Sequence, residues 1–148
     1  PLEDIQLPEI TCPQSGPTMT GAALKLLCEQ VDKEVVLSTP TKKGDWMPLL
    51  FIMTDGKPSD IMDYNMAVPE VKKRKFASII ACAAGAKAKT EPLQQLTDQV
   101  YTLDTMDSGT FAQFFKWVSS SIGVGNRSVG SSEELTLPAP PQEVNLVI

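Results

Sequence analysis

The chain has 148 residues, 42% of them hydrophobic and 21% charged, which suits one globular domain able to bury about two-thirds of its unfolded surface. Its formal charge of -5 argues against nucleic acid, whose phosphates demand a basic patch, and the absence of histidine excludes imidazole metal ligands and Ser-His or Cys-His dyads. No apolar run reaches the ~20 residues that span a bilayer and no secretory segment is visible, so no membrane partner is expected; the odd set Cys12, Cys28 and Cys82, without a paired motif, suits a reducing cytoplasm.

Residues 1–17 are proline-rich with little periodicity and read as an extended segment anchored by Leu7 and Ile10. Gly16-Pro17-Thr18 supplies helix start signals, and Leu24, Leu27, Cys28 and Val31 then repeat at helical spacing along one face. The pattern predicts a helix over 18–31, with Thr18 or Thr20 at its N-terminus, where free backbone N–H groups favour anions and hydroxyls. A loop through Thr39-Pro40 and Lys42-Lys43-Gly44 leads to Leu49-Leu50-Phe51-Ile52-Met53, an uninterrupted apolar run that reads as a central strand buried on both faces. It ends at Thr54-Asp55-Gly56.

Asp60 is expected to cap the next helix, with Asp63 standing where a capping box has Glu, and Pro69 is expected to kink or split that helix before Lys75. Lys72-Lys73-Arg74-Lys75 reads as its solvated end. Ala77 to Gly85 is charge-free and small, predicting a second buried parallel strand. Thr90-Glu91-Pro92 opens a short helix with Leu93 and Leu96 facing the core, and Val100-Tyr101-Thr102-Leu103 is a third strand. Thr110 with Gln113 forms a capping box, followed by an amphipathic stripe of Phe111, Phe114, Phe115, Val118 and Ile122 that packs on the sheet. From Gly123 the composition turns to Gly, Ser and Pro, reading as a linker, and Val144 to Ile148 can add an edge strand. Strands alternating with helices predict an α/β fold, a Rossmann-like open parallel sheet with right-handed crossovers.

Ligands of open α/β sheets bind at the carboxyl ends of the strands, so Asp55 is the first candidate site residue and the Thr18 hydroxyl its companion. Both are hard oxygen donors suited to Mg²⁺, or another divalent ion such as Mn²⁺ or Ca²⁺, that keeps several waters. Asp60, Asp63, Asp104 and Asp107 read as helix-start or turn carboxylates. No phosphate-binding glycine loop and no G-x-S-x-G elbow occurs.

The strand-end Thr54-Asp55-Gly56, preceded by Ser15-Gly16-Pro17-Thr18 opening a helix with Ala22-Ala23-Leu24, resembles the second half of a von Willebrand factor type A domain. Ile80 to Gly85, Leu96-Thr97-Asp98 and Phe114 to Ser119 extend the likeness to the tellurite-resistance TerY-like branch. The resemblance implies a domain over residues 1–125, a Gly/Ser/Pro-rich tail over 126–148, and a metal-ion-dependent adhesion site drawing on Thr18 and Asp55. The family's third element, D-x-S-x-S at the end of the first strand, does not occur in this sequence. Type A domains order their strands 3-2-1-4-5-6, which makes the strands here the fourth, fifth and sixth. The strand at 49–53 then lies at an edge, and its partner is expected to be a first half held in another piece of chain, a second copy, or the tail at 144–148.

The function so implied is a cytoplasmic, non-enzymatic interaction domain of a tellurite-resistance or stress-response system. It would capture an acidic side chain of a protein partner on the metal, in the company of a protein kinase and a protein phosphatase. Two other classes compete: a metal-dependent phosphoryl-transfer or hydrolytic enzyme using Asp55, and a metal-free interaction module docking through the aromatic helix.

Overall fold

A computed structural model describes residues 9, 11, 15–103, 107–127, 138–141 and 144–147. The elements are α1 (Thr20–Glu34), β1 (Leu49–Thr54), α2 (Ile61–Lys73), β2 (Ser78–Ala84), α3 (Glu91–Leu96), β3 (Val100–Leu103), α4 (Ser108–Arg127) and β4 (Val144–Leu146). β1, β2 and β3 run parallel and β4 joins β3 antiparallel, giving one sheet in the order β1-β2-β3-β4. The architecture is α/β with a mostly parallel sheet, as the alternation of apolar runs predicts.

The small residues of β2 let both faces of the sheet be covered closely. On one face Ile80, Cys82 and Ala84 pack with Tyr101, Leu103 and Val144 beneath Phe114 and Trp117 of α4. On the other, Ala81 and Ala83 meet Leu93 and Val100, while α1 and α2 bury Leu24, Cys28, Tyr64, Ala67, Val68 and Val71 against Leu50. The Tyr64 hydroxyl donates to the Pro92 carbonyl at 2.6 Å, and the Thr97 hydroxyl to that of Ile79 at 2.7 Å; among the described residues no buried side-chain nitrogen or oxygen lacks a partner. Among the described residues no helix is long and apolar enough to cross a membrane.

Three expectations about the sheet and α2 are corrected. β1 is not a central strand buried on both faces: among the described residues it lies at the edge of the sheet and only Leu50 in it is buried, because its apolar run reports affinity for neighbours without saying that both are present. The tail does not cover that edge, since β4 pairs with β3 at the opposite side of the sheet. α2 is not split into two pieces: it is one continuous helix with Pro69 inside it. Burial of Tyr64, Ala67, Val68 and Val71 holds the helix together, while Pro69 and Asn65, whose carbonyl loses its partner, both lie exposed to water.

α4 departs most from its sequence pattern. The Asp107 carboxylate caps it, accepting the amides of Gly109 (2.8 Å) and Thr110 (3.0 Å) and the Thr110 hydroxyl (2.7 Å), in place of the expected Thr110–Gln113 box. The buried stripe is Thr110, Phe114, Trp117 and Ser121, leaving Phe115 and Ile122 exposed. Trp117 turns the helix: its ring meets Tyr101 edge-on at 5.1 Å and its indole N–H donates to the Pro138 carbonyl at 2.8 Å. The helix also runs through Gly123 to Arg127, past the point where a linker is expected. Asp104 lies outside the described residues.

Candidate functional site

The carboxyl end of β1 is shaped by a local turn and a long-range seam. The Thr54 hydroxyl accepts the Gly56 amide at 3.3 Å and lies the same distance from the Gly56 carbonyl, which ends the strand and leaves Asp55 exposed at the tip. Among the described residues the Asp55 carboxylate has no hydrogen-bond or ion-pair partner.

Thr18 reaches the same rim. Its amide donates to the Ser59 hydroxyl at 3.0 Å, and the Ser59 amide donates to the Thr18 carbonyl at 2.8 Å. This exchange joins segments 41 residues apart and turns the Thr18 hydroxyl toward Gly56, where an added Cβ would lie 3.7 Å from its oxygen. The two sequence-predicted site residues therefore share one rim, Thr18 packing against the residue that follows Asp55. α1 begins at Thr20, with Met19 as its N-cap, so Thr18 stands just outside the helix rather than in its first turn.

Asp60 has a role the sequence pattern does not show. It precedes α2, yet its carboxylate caps α1, accepting the amides of Gly21 (3.1 Å) and Ala22 (2.8 Å). Glycine is required at position 21 because a Cβ there would lie 2.3 Å from the Tyr64 amide nitrogen and 2.9 Å from the Asp60 carboxylate. Desolvation pushes the Asp60 carboxyl up, but the Gly21 and Ala22 amides outweigh it and hold the group below the usual carboxylate range. Asp63, one turn on, forms an ion pair with Lys25 of α1. Both carboxylates thus serve structure, as expected of helix-start acids, though the helix Asp60 serves is its neighbour. The signal that could have found this is Gly21 itself, a glycine inside a predicted helix stripe marking close backbone approach.

Asp55, the Thr18 hydroxyl and the Ser59 hydroxyl remain as oxygen donors at the rim. Among the described residues no three His, Cys, Asp or Glu side chains gather as a full protein cage for a metal would require. One carboxylate with neighbouring hydroxyls fits a hard cation that keeps most of its water shell, and does not fit a zinc-type site.

The amino-terminal rim of β1 is built differently. There α1, α2 and the Trp46-Met47-Pro48 segment enclose a cleft of about 570 Å³ with Val31 and Val35 on its wall. Arg74, at the end of α2, closes it with an ion pair to Asp32 and a bond to the Glu70 carbonyl at 2.7 Å. No family model, curated protein or solved structure matches this chain.

Proposed function

We propose that the chain is a non-enzymatic binding domain of the von Willebrand factor type A kind, of the tellurite-resistance branch. In this reading Thr18 and Asp55 help to hold a divalent ion, Mg²⁺ in the first instance, for capture of an acidic side chain on a partner protein. The observation that carries the reading is the Thr18–Ser59 seam, which sets the Thr18 hydroxyl against Gly56 on the rim where Asp55 stands free.

The chemistry of the donors supports it. A carboxylate and a hydroxyl suit magnesium, which is bound through few protein oxygens and retains waters that a ligand can replace. When bound, the ion supplies a Lewis-acid position for a carboxylate oxygen. The residues of this chain supply placement: the Thr54 turn holds Asp55 outward, Ser59 holds Thr18, and Asp60 ties the start of α1 to the same loop. Among the described residues none at this rim pairs a nucleophile with a base by a hydrogen bond, and we therefore favour binding over phosphoryl transfer or hydrolysis. A stress-response setting in the cytoplasm, with a protein kinase and a protein phosphatase as associates, belongs to the same proposal.

Calorimetric titration with MgCl₂ tests it. The natural chain is expected to bind, Asp55→Ala to abolish the heat, and Thr18→Ala to weaken affinity by roughly tenfold, the scale of losing one oxygen ligand or its support. Binding that is indifferent to Asp55→Ala overturns the proposal.

A further inference from the structure

We infer that the cleft at the amino-terminal rim of β1 is a docking site for an acidic peptide segment of a partner protein. The peptide's apolar side chains enter the cleft and its carboxylates meet the lysines around the mouth. No residue of β1 itself lines this cleft, so the inference depends neither on a metal at the carboxyl rim nor on what pairs with the outer side of that strand.

The wall is pre-formed. In the loop between α1 and β1 the Asp45 carboxylate accepts the Val36 amide at 2.8 Å and the Asp45 amide donates to the Val36 carbonyl at 2.7 Å. The Gly44 amide donates to the Ser38 hydroxyl at 2.9 Å. Residue 44 must be glycine there, because a Cβ would overlap the Val36 carbonyl and the Ser38 amide nitrogen. So bonded, the loop holds Val36, Leu37, Trp46 and Met47 at the cleft while they remain 48%, 73%, 53% and 57% exposed. Apolar side chains fixed together in water mark a contact surface, and a cleft of about 570 Å³ is of the size that seats the anchoring groups of a ligand. An ordered wall also spares the partner the entropy of arranging it.

Charge selects the partner. The segments that contribute the lining, residues 31–48 and 73–75, hold six of the thirteen lysines and arginines but three of the eighteen acids, although the whole chain carries -5. Of those acids Asp32 is already paired with Arg74, and Asp45 is bonded to the Val36 amide. Among the described residues Lys75, on the lining, has no hydrogen-bond or ion-pair partner, and the Lys43 ammonium lies over the Trp46 ring, 5.5 Å from its centroid. Apolar anchors flanked by carboxylates complement this arrangement. A single small anion would leave most of these cations unmatched. An anionic bilayer is flat where this surface is concave, and its headgroups would meet Asp32 and Asp45 with like charge.

Panning a displayed library of random peptides on the full chain tests the inference, followed by anisotropy titration of the selected peptides. Those peptides are expected to combine Asp or Glu with Leu, Ile or Phe. Lys75→Glu and Leu37→Asp lie at exposed positions and should leave the melting midpoint unchanged. Each should weaken the selected peptides roughly tenfold, the scale of one reversed rim charge or one lost apolar anchor. Lys87→Glu, an exposed lysine beyond the end of β2 at the opposite rim, should leave their binding as it is. Selected peptides without acidic enrichment overturn the inference, as do affinities that ignore Leu37→Asp or that fall equally with Lys87→Glu. Cosedimentation with phosphatidylserine vesicles in place of peptide binding would assign the surface to a membrane, and a doubling of mass abolished by Leu37→Asp would assign it to a second copy; either result also overturns it.

Discussion

β1 and β2 are neighbours in register, Phe51 beside Ile80 and Met53 beside Cys82, and both are apolar runs. Their surroundings are opposite. Every residue of β2 from Ile80 to Ala84 is buried, whereas in β1 only Leu50 is. β2 has a strand on each side and helices on both faces; among the described residues β1 has one strand neighbour, and the loop after it is held by polar bonds to Thr18 and the start of α1. An apolar run therefore fixes how much burial a strand can use, while the topology fixes how much it receives. The shortfall at β1 leaves its tip open as a candidate site.

Thiol chemistry should expose the contrast most sharply. Burial pushes the Cys82 thiol up to about 12. At pH 8 its thiolate fraction is then on the order of 10⁻⁴, against roughly a quarter for an exposed cysteine. A cysteine placed at the register partner by Met53→Cys should alkylate on the order of 10³-fold faster than Cys82, read by mass spectrometry under native conditions. Comparable rates would break the distinction between the strands.

Stability should follow the same order with a smaller spread. Ile80→Ala removes a side chain only 1% exposed and should cost about 3–4 kcal/mol in urea unfolding, transfer and cavity terms together. Phe51→Ala should cost about half as much, because the ring is already half in water. Equal costs would mean that β1 is covered on both sides in solution.

Much of this fold is legible in the residues alone. The charge-free run at 77–85, the short strand ending at Leu103 and the Pro92 helix start each carry a local signal that tertiary context does not override, and all three elements form where expected. The features that escape are those set at long range. The face of α4 is decided by Trp117 reaching Pro138, a contact 21 residues away, which no helical periodicity contains. Pro69 breaks a helix by propensity, but the buried residues around it outweigh that loss. Thr18 and Asp55 could be nominated because helix starts and strand ends meet on one rim of such sheets. The Ser59 exchange and the Asp60 cap that seat Thr18 beside the loop after β1 could not, since each joins residues some 40 positions apart.

The last contrast lies between the ends of the two strands and is set by pH. β2 is followed by Gly85, whose amide donates to the Leu103 carbonyl at 2.8 Å and which carries no titratable group. The end of β1 depends on Asp60, whose carboxyl sits below its ordinary range once the Gly21 and Ala22 amides have outweighed desolvation. A carboxyl lowered by folding contributes stability that is complete above the unfolded pKa of about 3.9 and is lost as pH falls through the folded value. Acidification should therefore loosen the start of α1 and the end of β1 first, with amide exchange rising there while β2 stays protected. Asp60→Asn should lower the melting midpoint by a few degrees at pH 7, and the gap from the natural protein should close only as the pH falls beneath the ordinary carboxylate range, through the lowered folded value at which Asp60 itself becomes neutral. Asp55→Asn, which breaks no bond among the described residues, should leave the midpoint at pH 7 unchanged. A constant gap for Asp60→Asn across the acid range would show that its carboxylate charge does not hold the two segments together.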